Sequence, residues 1–473
     1  MSRTETTRPP APRSTKDTII AVDIGSTWTK AAQFSHHKER LHLVRRVAVP
    51  TTVSHLPVAV HELLTELRRD SPEAADCPVV CSSSAKGGLS VVAVGIVPDL
   101  TLAMARQTAL SAGARISRVF AYELTTEDIL AIDAIAPDIV LVTGGTDGGN
   151  REYVERNSQL LTRLSSRPHI VYAGNRTMAE TVCNRLAAFP VVVTENILPE
   201  LDSANPEPAR AAIRDIFIGS IAHGKGLDEL NLLIDEPVEP TPLVVYEFVR
   251  TMAQSLPRWS RFCLVDLGGA TTDVYSTGAS AAADGQRVVQ KGPPPPATLR
   301  TVEGDLGMRV SAPAAAEAQR SFFGDDVAQQ EMSDHAAAVH REPQRIASTD
   351  AERACDRLLA AACVSGALTR HAGRIREVFT PQGAVWLQTG TDLRGVDIVV
   401  GSGGYLASDD FETVAPLVRW PQRDEQNRTV LLPESPLWYR DRENLLPLLA
   451  NAARRFQRAA CVAAADHWRE ETP

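Results

Sequence analysis

Two short stretches carry the same run of residue types. Ala21–Lys30 and Leu264–Asp273 each read as an apolar strand, an aspartate, one residue, a glycine, and then small hydroxyl residues. In the first, Asp23 is followed by Gly25, Ser26 and Thr27; in the second, Asp266 is followed by Gly268, Gly269, Thr271 and Thr272. A strand that ends in aspartate delivers a hard oxygen ligand to a cleft edge, where it can hold Mg2+ through water. Glycine lets the backbone turn tightly and come close to a phosphate. Successive N–H groups and hydroxyls then donate to phosphate oxygens. One Asp-x-Gly is a common strand-to-turn sequence; the pair is what suggests two loops closing on one ligand from opposite sides. Asp273 follows the second loop and suits either a water-orienting role or a strand-edge hydrogen bond. Lys30 lies farther along its strand and reads as a solvated or salt-bridged cation.

A third stretch, Asp397–Tyr405, runs a buried strand into Gly401, Ser402, Gly403 and Gly404, a backbone that can lie flat against a base or ribose. The spacings are 243 residues from Asp23 to Asp266 and 135 from Asp266 to Gly401. No Walker A pattern occurs.

This order of loops resembles the actin, sugar-kinase and heat-shock-chaperone ATPase superfamily. The resemblance implies an α/β, actin-like (ribonuclease H-like) two-lobed fold with ATP and Mg2+ as cofactors. Asp23 and Asp266 would position the metal, and Asp23, Asp266 and Asp273 would form the catalytic set. Gly25, Ser26, Thr27, Gly268, Gly269, Thr271 and Thr272 would contact phosphate. Gly401 to Gly404 would contact the nucleoside, and Glu303 the nucleotide edge or a hinge.

Further stretches narrow the resemblance: Cys81–Leu89, Leu141–Asn150, Glu195–Pro199, Glu207–Arg210 and above all Arg300–Arg309. Together they are similar to the accessory protein of methylaspartate (glutamate) mutase. That family implies an ATP-driven reactivating chaperone for an adenosylcobalamin-dependent mutase, with mutase subunits as partners; a homodimer is the expected self-association. A small-molecule kinase and a non-catalytic actin-like scaffold stand as alternatives. The related 2-hydroxyacyl-CoA dehydratase activator holds an iron–sulfur cluster that the cysteine spacing here does not support.

The elements that must position these loops follow from periodicity. Residues 17–77 read as a β-meander and a helix that start the first lobe. From 78 to 200 short apolar runs alternate with helical segments, which implies an inserted, doubly wound βαβα domain on a mostly parallel sheet. Helices return to the first lobe over 201–260, and 261–473 forms the second lobe. Within it, 278–296 reads as a flexible hairpin or loop and 323–350 as polar and weakly patterned. The Ser82–Gly88 and Gly144–Asp147 loops suit either an anion pocket or a packed turn.

Composition excludes other classes. The net charge of −9 and the lack of a basic block argue against nucleic acid as partner. Seven dispersed cysteines read as reduced thiols of a cytoplasmic protein. No apolar run approaches the ~20 residues that span a membrane. Residues 1–16 are polar and read as a disordered tail.

Overall fold

The computed structural model describes residues 17–25, 28–52, 55–69, 76–84, 89–201, 203–222, 227–278, 288–292, 294–381, 383–408 and 411–471. The expected disordered tail lies outside them, as do Ser26, Thr27 and parts of the 82–88 and 278–296 loops.

The chain begins with an antiparallel meander of β1 (Thr18–Ile24), β2 (Trp28–His37) and β3 (Arg40–Pro50). Helix α1 (Leu56–Arg69) follows. Its buried residues Leu56, Val60, Leu63, Leu64 and Leu67 recur at helical spacing and make one apolar stripe against the sheet. Strand β4 (Val79–Ser83) falls in the stretch expected as insertion, yet it pairs in parallel with β1 and completes the first sheet's centre.

The inserted unit runs β5 (Ser90–Gly95), α2 (Ala103–Ser111), β6 (Arg115–Ala121), α3 (Thr126–Ile135), β7 (Ile139–Val142), α4 (Glu152–Leu161), β8 (His169–Tyr172), α5 (Ala179–Arg185) and β9 (Val191–Val193). All its pairings are parallel, in the order β6-β5-β7-β8-β9, so the sheet is doubly wound as the βαβα alternation requires. Helix α3 starts at a capping box, in which Thr125 and Asp128 satisfy each other's backbone N–H.

The chain returns through α6 (Glu207–Ala222), α7 (Leu227–Asn231), β10 (Glu239–Pro240) and α8 (Thr241–Ser255). A second unit then runs β11 (Phe262–Leu267), β12 (Thr272–Thr277), β13 (Val288–Gln290), β14 (Thr298–Glu303), α9 (Ala312–Ala318), α10 (Asp326–Arg341) and α11 (Asp350–His371). It continues with β15 (Arg374–Thr380), β16 (Gly383–Thr389), β17 (Ile398–Ser402), α12 (Phe411–Val414), β18 (Thr429–Val430), β19 (Leu437–Arg440), α13 (Leu446–Ala452), α14 (Gln457–His467) and β20 (Arg469–Glu471).

The two main sheets are copies of one plan. The first is ordered β3-β2-β1-β4-β10 and the second β14-β12-β11-β17-β19, with β20 added at the edge. In both, the first two pairings are antiparallel and the next two parallel. Between them lies a shared core: Ile19 and Ala21 of β1, Phe262 and Leu264 of β11, Val245 and Phe248 of α8, Leu448 and Leu449 of α13, and Ala460 of α14. Two expectations give way. Residues 326–341, read as weakly patterned, form a helix capped by Asp325; its inward face is only Met332, Ala336 and Val339. Within 278–296, Val288–Gln290 pairs with β16.

Candidate functional site

Strand alternation brings the two aspartates together. Along β1, Ile19 and Ala21 face the shared core while Ile20, Val22 and Ile24 face the other way. Asp23 has the parity of Ile19 and Ala21, so the period of two sends its side chain to the inter-sheet side. Along β11, Phe262 and Leu264 face the same core, and Asp266 shares their parity. Each aspartate therefore stands at the tip of its sheet's central strand, on the face turned to the other sheet.

The turns after them match. Gly25 N donates to Trp28 O at 3.1 Å and Gly268 N to Thr271 O at 2.9 Å. A Cβ on Gly25 would stand 2.6 Å from Trp28 O, which restricts the position to glycine. In register, Asp23 sits opposite Lys30 and Asp266 opposite Asp273. On the parallel neighbours, Ser82 lies beside Asp23 and Ser402 beside Asp266.

Charge concentrates here. Asp23 is buried and its Oδ1 accepts from Thr241 Oγ1 at 2.7 Å and Ser82 Oγ at 3.2 Å. Burial nevertheless raises its carboxyl above the ordinary range, against the lowering pull of Lys30. Loss of solvation and the facing Asp273 raise Asp266 to about 7, again opposed by Lys30 and reinforced by Asp23 and Asp441. Asp441 is raised by burial although Leu445 N, Leu446 N and Ser402 Oγ all donate to it. Four carboxylates thus share one region with one lysine.

The stretch 300–309 proves to be the frame of the second turn. Met308 N donates to Gly268 O at 3.1 Å, and Arg309 N and Val310 N to Gly269 O at 2.8 and 2.7 Å. A Cβ on Gly307 would meet Ala270 C at 2.6 Å and Gly269 O at 2.8 Å. Thr272 is wholly buried and its hydroxyl donates to Leu306 O at 2.7 Å, so this hydroxyl holds the turn from behind instead of reaching into the cleft. Glu303, half of a pair with Arg370 at 3.0 Å, lies beside Asp305, which Arg370 also binds. Ser402 is buried with its hydroxyl on Asp441. Gly403 has φ +97°, and a Cβ there would lie 2.2 Å from Leu267 O and 2.9 Å from Asp266 Oδ1, whereas Gly404 faces open space.

Four participants were not placed at this site by the sequence reading: Ser82, Thr241, Asp441 and Arg300. Lys30, read as a solvated or salt-bridged cation, acts electrostatically on Asp23, Asp266 and Asp441 at once. Its position opposite Asp23 follows from hairpin register and was available in principle. Arg300 is 3% exposed. It binds Asp273 Oδ1 through Nε at 2.8 Å and Nη2 at 2.5 Å, and donates from Nη1 to Leu110 O and Ala114 O at the end of α2. One guanidinium therefore ties the second turn to the inserted domain.

The 143–150 loop is satisfied from within. Asn175 accepts from Gly148 N and donates to Gly149 O and Asn150 O, while Asn196 donates to Gly145 O and Asp147. Those bonds make it a stapled turn. Among the described residues no three His, Cys, Asp or Glu side chains gather closely enough to hold a metal by themselves. A hard cation held through water by one or two carboxylates and by phosphate oxygens needs no such cage. All seven cysteines are free thiols. Among the described residues no helix is long and apolar enough to cross a membrane.

Two like sheets around a shared helical layer, an aspartate and a glycine turn at the tip of each central strand, and a doubly wound unit inserted in the first lobe define the actin-like two-lobed fold. A family model described as MutL protein matches residues 19–467. Protein MutL of Clostridium tetanomorphum is 34% identical over 447 residues, covering 91% of this chain and 94% of that one. The chain belongs to the MutL (glutamate mutase L) family. Among solved structures, component A of (R)-2-hydroxyglutaryl-CoA dehydratase from Acidaminococcus fermentans covers 94% of this chain and 99% of its own at 11% identity and a TM-score of 0.29. A diol dehydratase-reactivating factor in nucleotide-free form covers 93% and 100% at 10% identity and a TM-score of 0.36. Scores this low carry no weight for function.

Proposed function

We propose that this chain binds ATP with Mg2+ between its two aspartate turns and serves as the reactivating accessory protein of an adenosylcobalamin-dependent amino-acid mutase. The carboxylate cluster supports the cleft. Asp266, raised to about 7, is a carboxylate held where a cation is wanted. Asp23 and Asp266 would hold the metal's water shell; a bound Mg2+ would offset the negative charge of the phosphates. Among the described residues no acceptor takes the amides of Gly269, Ala270 and Thr271, which suits them to phosphate oxygens. Thr271 Oγ1, 3.3 Å from Asp273, stays among the phosphate contacts; Thr272 leaves the set because its hydroxyl is buried. Gly25, Ser26 and Thr27 would contact phosphate from the first side, and Gly401 to Gly404 the nucleoside. Asp273, fixed by Arg300, would orient the attacking water. The reading divides the chain into a first lobe, an inserted domain and a second lobe. Membership of the MutL family supports the accessory role and a mutase as partner.

Calorimetric titration with ATP–Mg2+ and ADP–Mg2+, on the native chain and on Asp266→Asn, tests the cleft. Binding that the variant loses supports it, and absence of binding by the native chain removes it. Restored turnover of an inactivated mutase, dependent on added ATP, tests the role.

A further inference from the structure

The turn after Asp23 carries a residue type that the turn after Asp266 lacks. Gly25 N donates to Trp28 O just as Gly268 N donates to Thr271 O, so Trp28 stands where the second turn has Thr271. Thr51 steadies this backbone from the side: its hydroxyl donates to Gly25 O and meets the Thr29 hydroxyl, each at 2.9 Å. Trp28 is 50% exposed, whereas Trp259, Trp438 and Trp468 are buried and Trp386 and Trp420 half-buried. Single exposed apolar side chains are common on protein surfaces. The place of this one distinguishes it.

Its direction follows from the strand. Along β2, Ala32 and Phe34 belong to the core between the sheets and Ala31 to the core on the other face. Trp28 and Lys30 have the parity of Ala32 and Phe34, so the period of two sends the indole to the inter-sheet side. The cleft has two flanks. Helix α8 fills one, packing on β4 and β10 of the first sheet and on β12 and β14 of the second. Strands β2 and β17 therefore lie on the other flank, and Val400 of β17 joins Ala32 and Phe34 in one core. Electrostatics agree: Lys30, one pleat from Trp28, acts on Asp441, which accepts from Ser402 Oγ and donates its N–H to Gly401 O, both at 3.0 Å. Beyond Ser402 the chain runs into Gly403 and Gly404, and Gly404 is exposed with nothing within 4 Å of where a Cβ would stand. An indole and a bare glycine backbone thus border one gap from opposite sheets.

We infer that Trp28 is the second wall of the nucleoside site, its indole lying against the ribose and base that the Gly401–Gly404 backbone takes on the other side. The inference rests on the nucleotide reading above and adds a residue to it. An indole offers a flat apolar face and one N–H donor, a poor match for triphosphate oxygens and a good one for a ring. Only two side-chain torsions must be fixed, so ordering it on a ligand costs little entropy. Thr271, at the equivalent place, offers a hydroxyl instead. The two turns therefore divide the ligand, the second serving phosphate alone and the first serving phosphate and nucleoside.

The test uses the full chain and two readouts. Calorimetry compares ATP–Mg2+ with magnesium tripolyphosphate on the native chain, Trp28→Ala and Trp28→Phe. Trp28→Ala should bind ATP about 5- to 100-fold more weakly, the range that base–aromatic stacking supplies, and should bind tripolyphosphate as the native chain does. Trp28→Phe keeps an aromatic face and should stay within about 3-fold of the native chain for ATP. Acrylamide quenching of tryptophan fluorescence needs no variant to fold: ATP–Mg2+ should shield the most accessible fraction of the native chain, a fraction that Trp28→Phe lacks. Three outcomes overturn the inference: Trp28→Ala binds ATP as the native chain does, it loses ATP and tripolyphosphate equally, or ATP leaves the quenching of the native chain unchanged. Any of these in a chain that binds ATP leaves the aspartate cleft standing, while a native chain that binds no nucleotide removes both.

Discussion

The turn after Asp23 and the turn after Asp266 share a backbone design but solve their charge problem differently. In the first, the residue directly opposite the aspartate is Lys30, so the hairpin neutralises itself. In the second, the residue opposite is Asp273, and two like charges facing across a strand pair destabilise it. The second turn therefore takes its cation from a third strand. Arg300 of β14 reaches Asp273 and, with its other arm, the carbonyls that end α2. The lesson is that the imported charge is also the link: the first aspartate faces a cation on its own hairpin, while the second turn is tied through Arg300 to the inserted domain.

The largest expected effect tests that contrast directly. Arg300→Met strands the largely enclosed carboxylate of Asp273 and two carbonyls at the end of α2, and should cost about 3–5 kcal/mol in urea unfolding. Lys30→Met should cost about 1 kcal/mol or less, since that residue is partly solvated. Equal costs would break the comparison. Adding Asp273→Asn to Arg300→Met should recover part of the loss, with a coupling of about 0.5–3 kcal/mol.

Next comes Gly403→Ala. A positive φ and a Cβ 2.2 Å from Leu267 O should cost about 1–3 kcal/mol and, by pressing on Asp266, weaken nucleotide binding measured by titration. Gly404→Ala, with nothing near its Cβ, should leave stability unchanged, so any loss of nucleotide affinity in that variant comes from contact with the ligand itself.

A pH series sharpens the asymmetry further. Asp266 has its folded pKa raised to about 7, so between the ordinary carboxylate value and about 7 the folded chain binds more protons than the unfolded one. Stability of the nucleotide-free protein should therefore fall as pH rises through that window. Asp266→Asn should flatten the fall, and Mg2+ with nucleotide should suppress it in the native chain. Thermal melts from pH 5 to 8 read all three. The smallest effect is Thr272→Val, about 1 kcal/mol of lost stability from the bond to Leu306 O, with nucleotide affinity unchanged.

These contrasts also show what the sequence could and could not display. Both aspartate turns were legible because strand, aspartate and glycine are adjacent in the chain and the pattern occurs twice. The parallel inserted sheet was legible because its apolar runs alternate with helical ones. Helix α10 was not, since only Met332, Ala336 and Val339 face inward and leave a faint stripe. Arg300 and Asp441 were invisible as site residues because their partners lie far away in sequence: Asp273 is 27 residues from Arg300, Leu110 is 190, and Ser402 is 39 from Asp441. Thr272 was assigned to phosphate because a hydroxyl's direction depends on Leu306, which only the folded chain brings behind it. The 300–309 stretch was recognised as distinctive without its purpose, which is to brace Gly268 and Gly269.

The bond from Asn451 Nδ2 to Val22 O, at 3.1 Å, spans 429 residues. Asn451 sits on α13, which packs on β1 and belongs to the core shared by both sheets. The central strand of the first lobe is therefore covered by a helix synthesised 429 residues after it. At roughly 5–20 residues per second, β1 waits about 20–90 s for that cover. Throughout that interval Ile19 and Ala21 lack the apolar surface that buries them in the finished molecule. A nascent chain therefore carries an uncovered apolar sheet face until α13 has been made, and a truncation that removes α13 and α14 should leave an aggregating product.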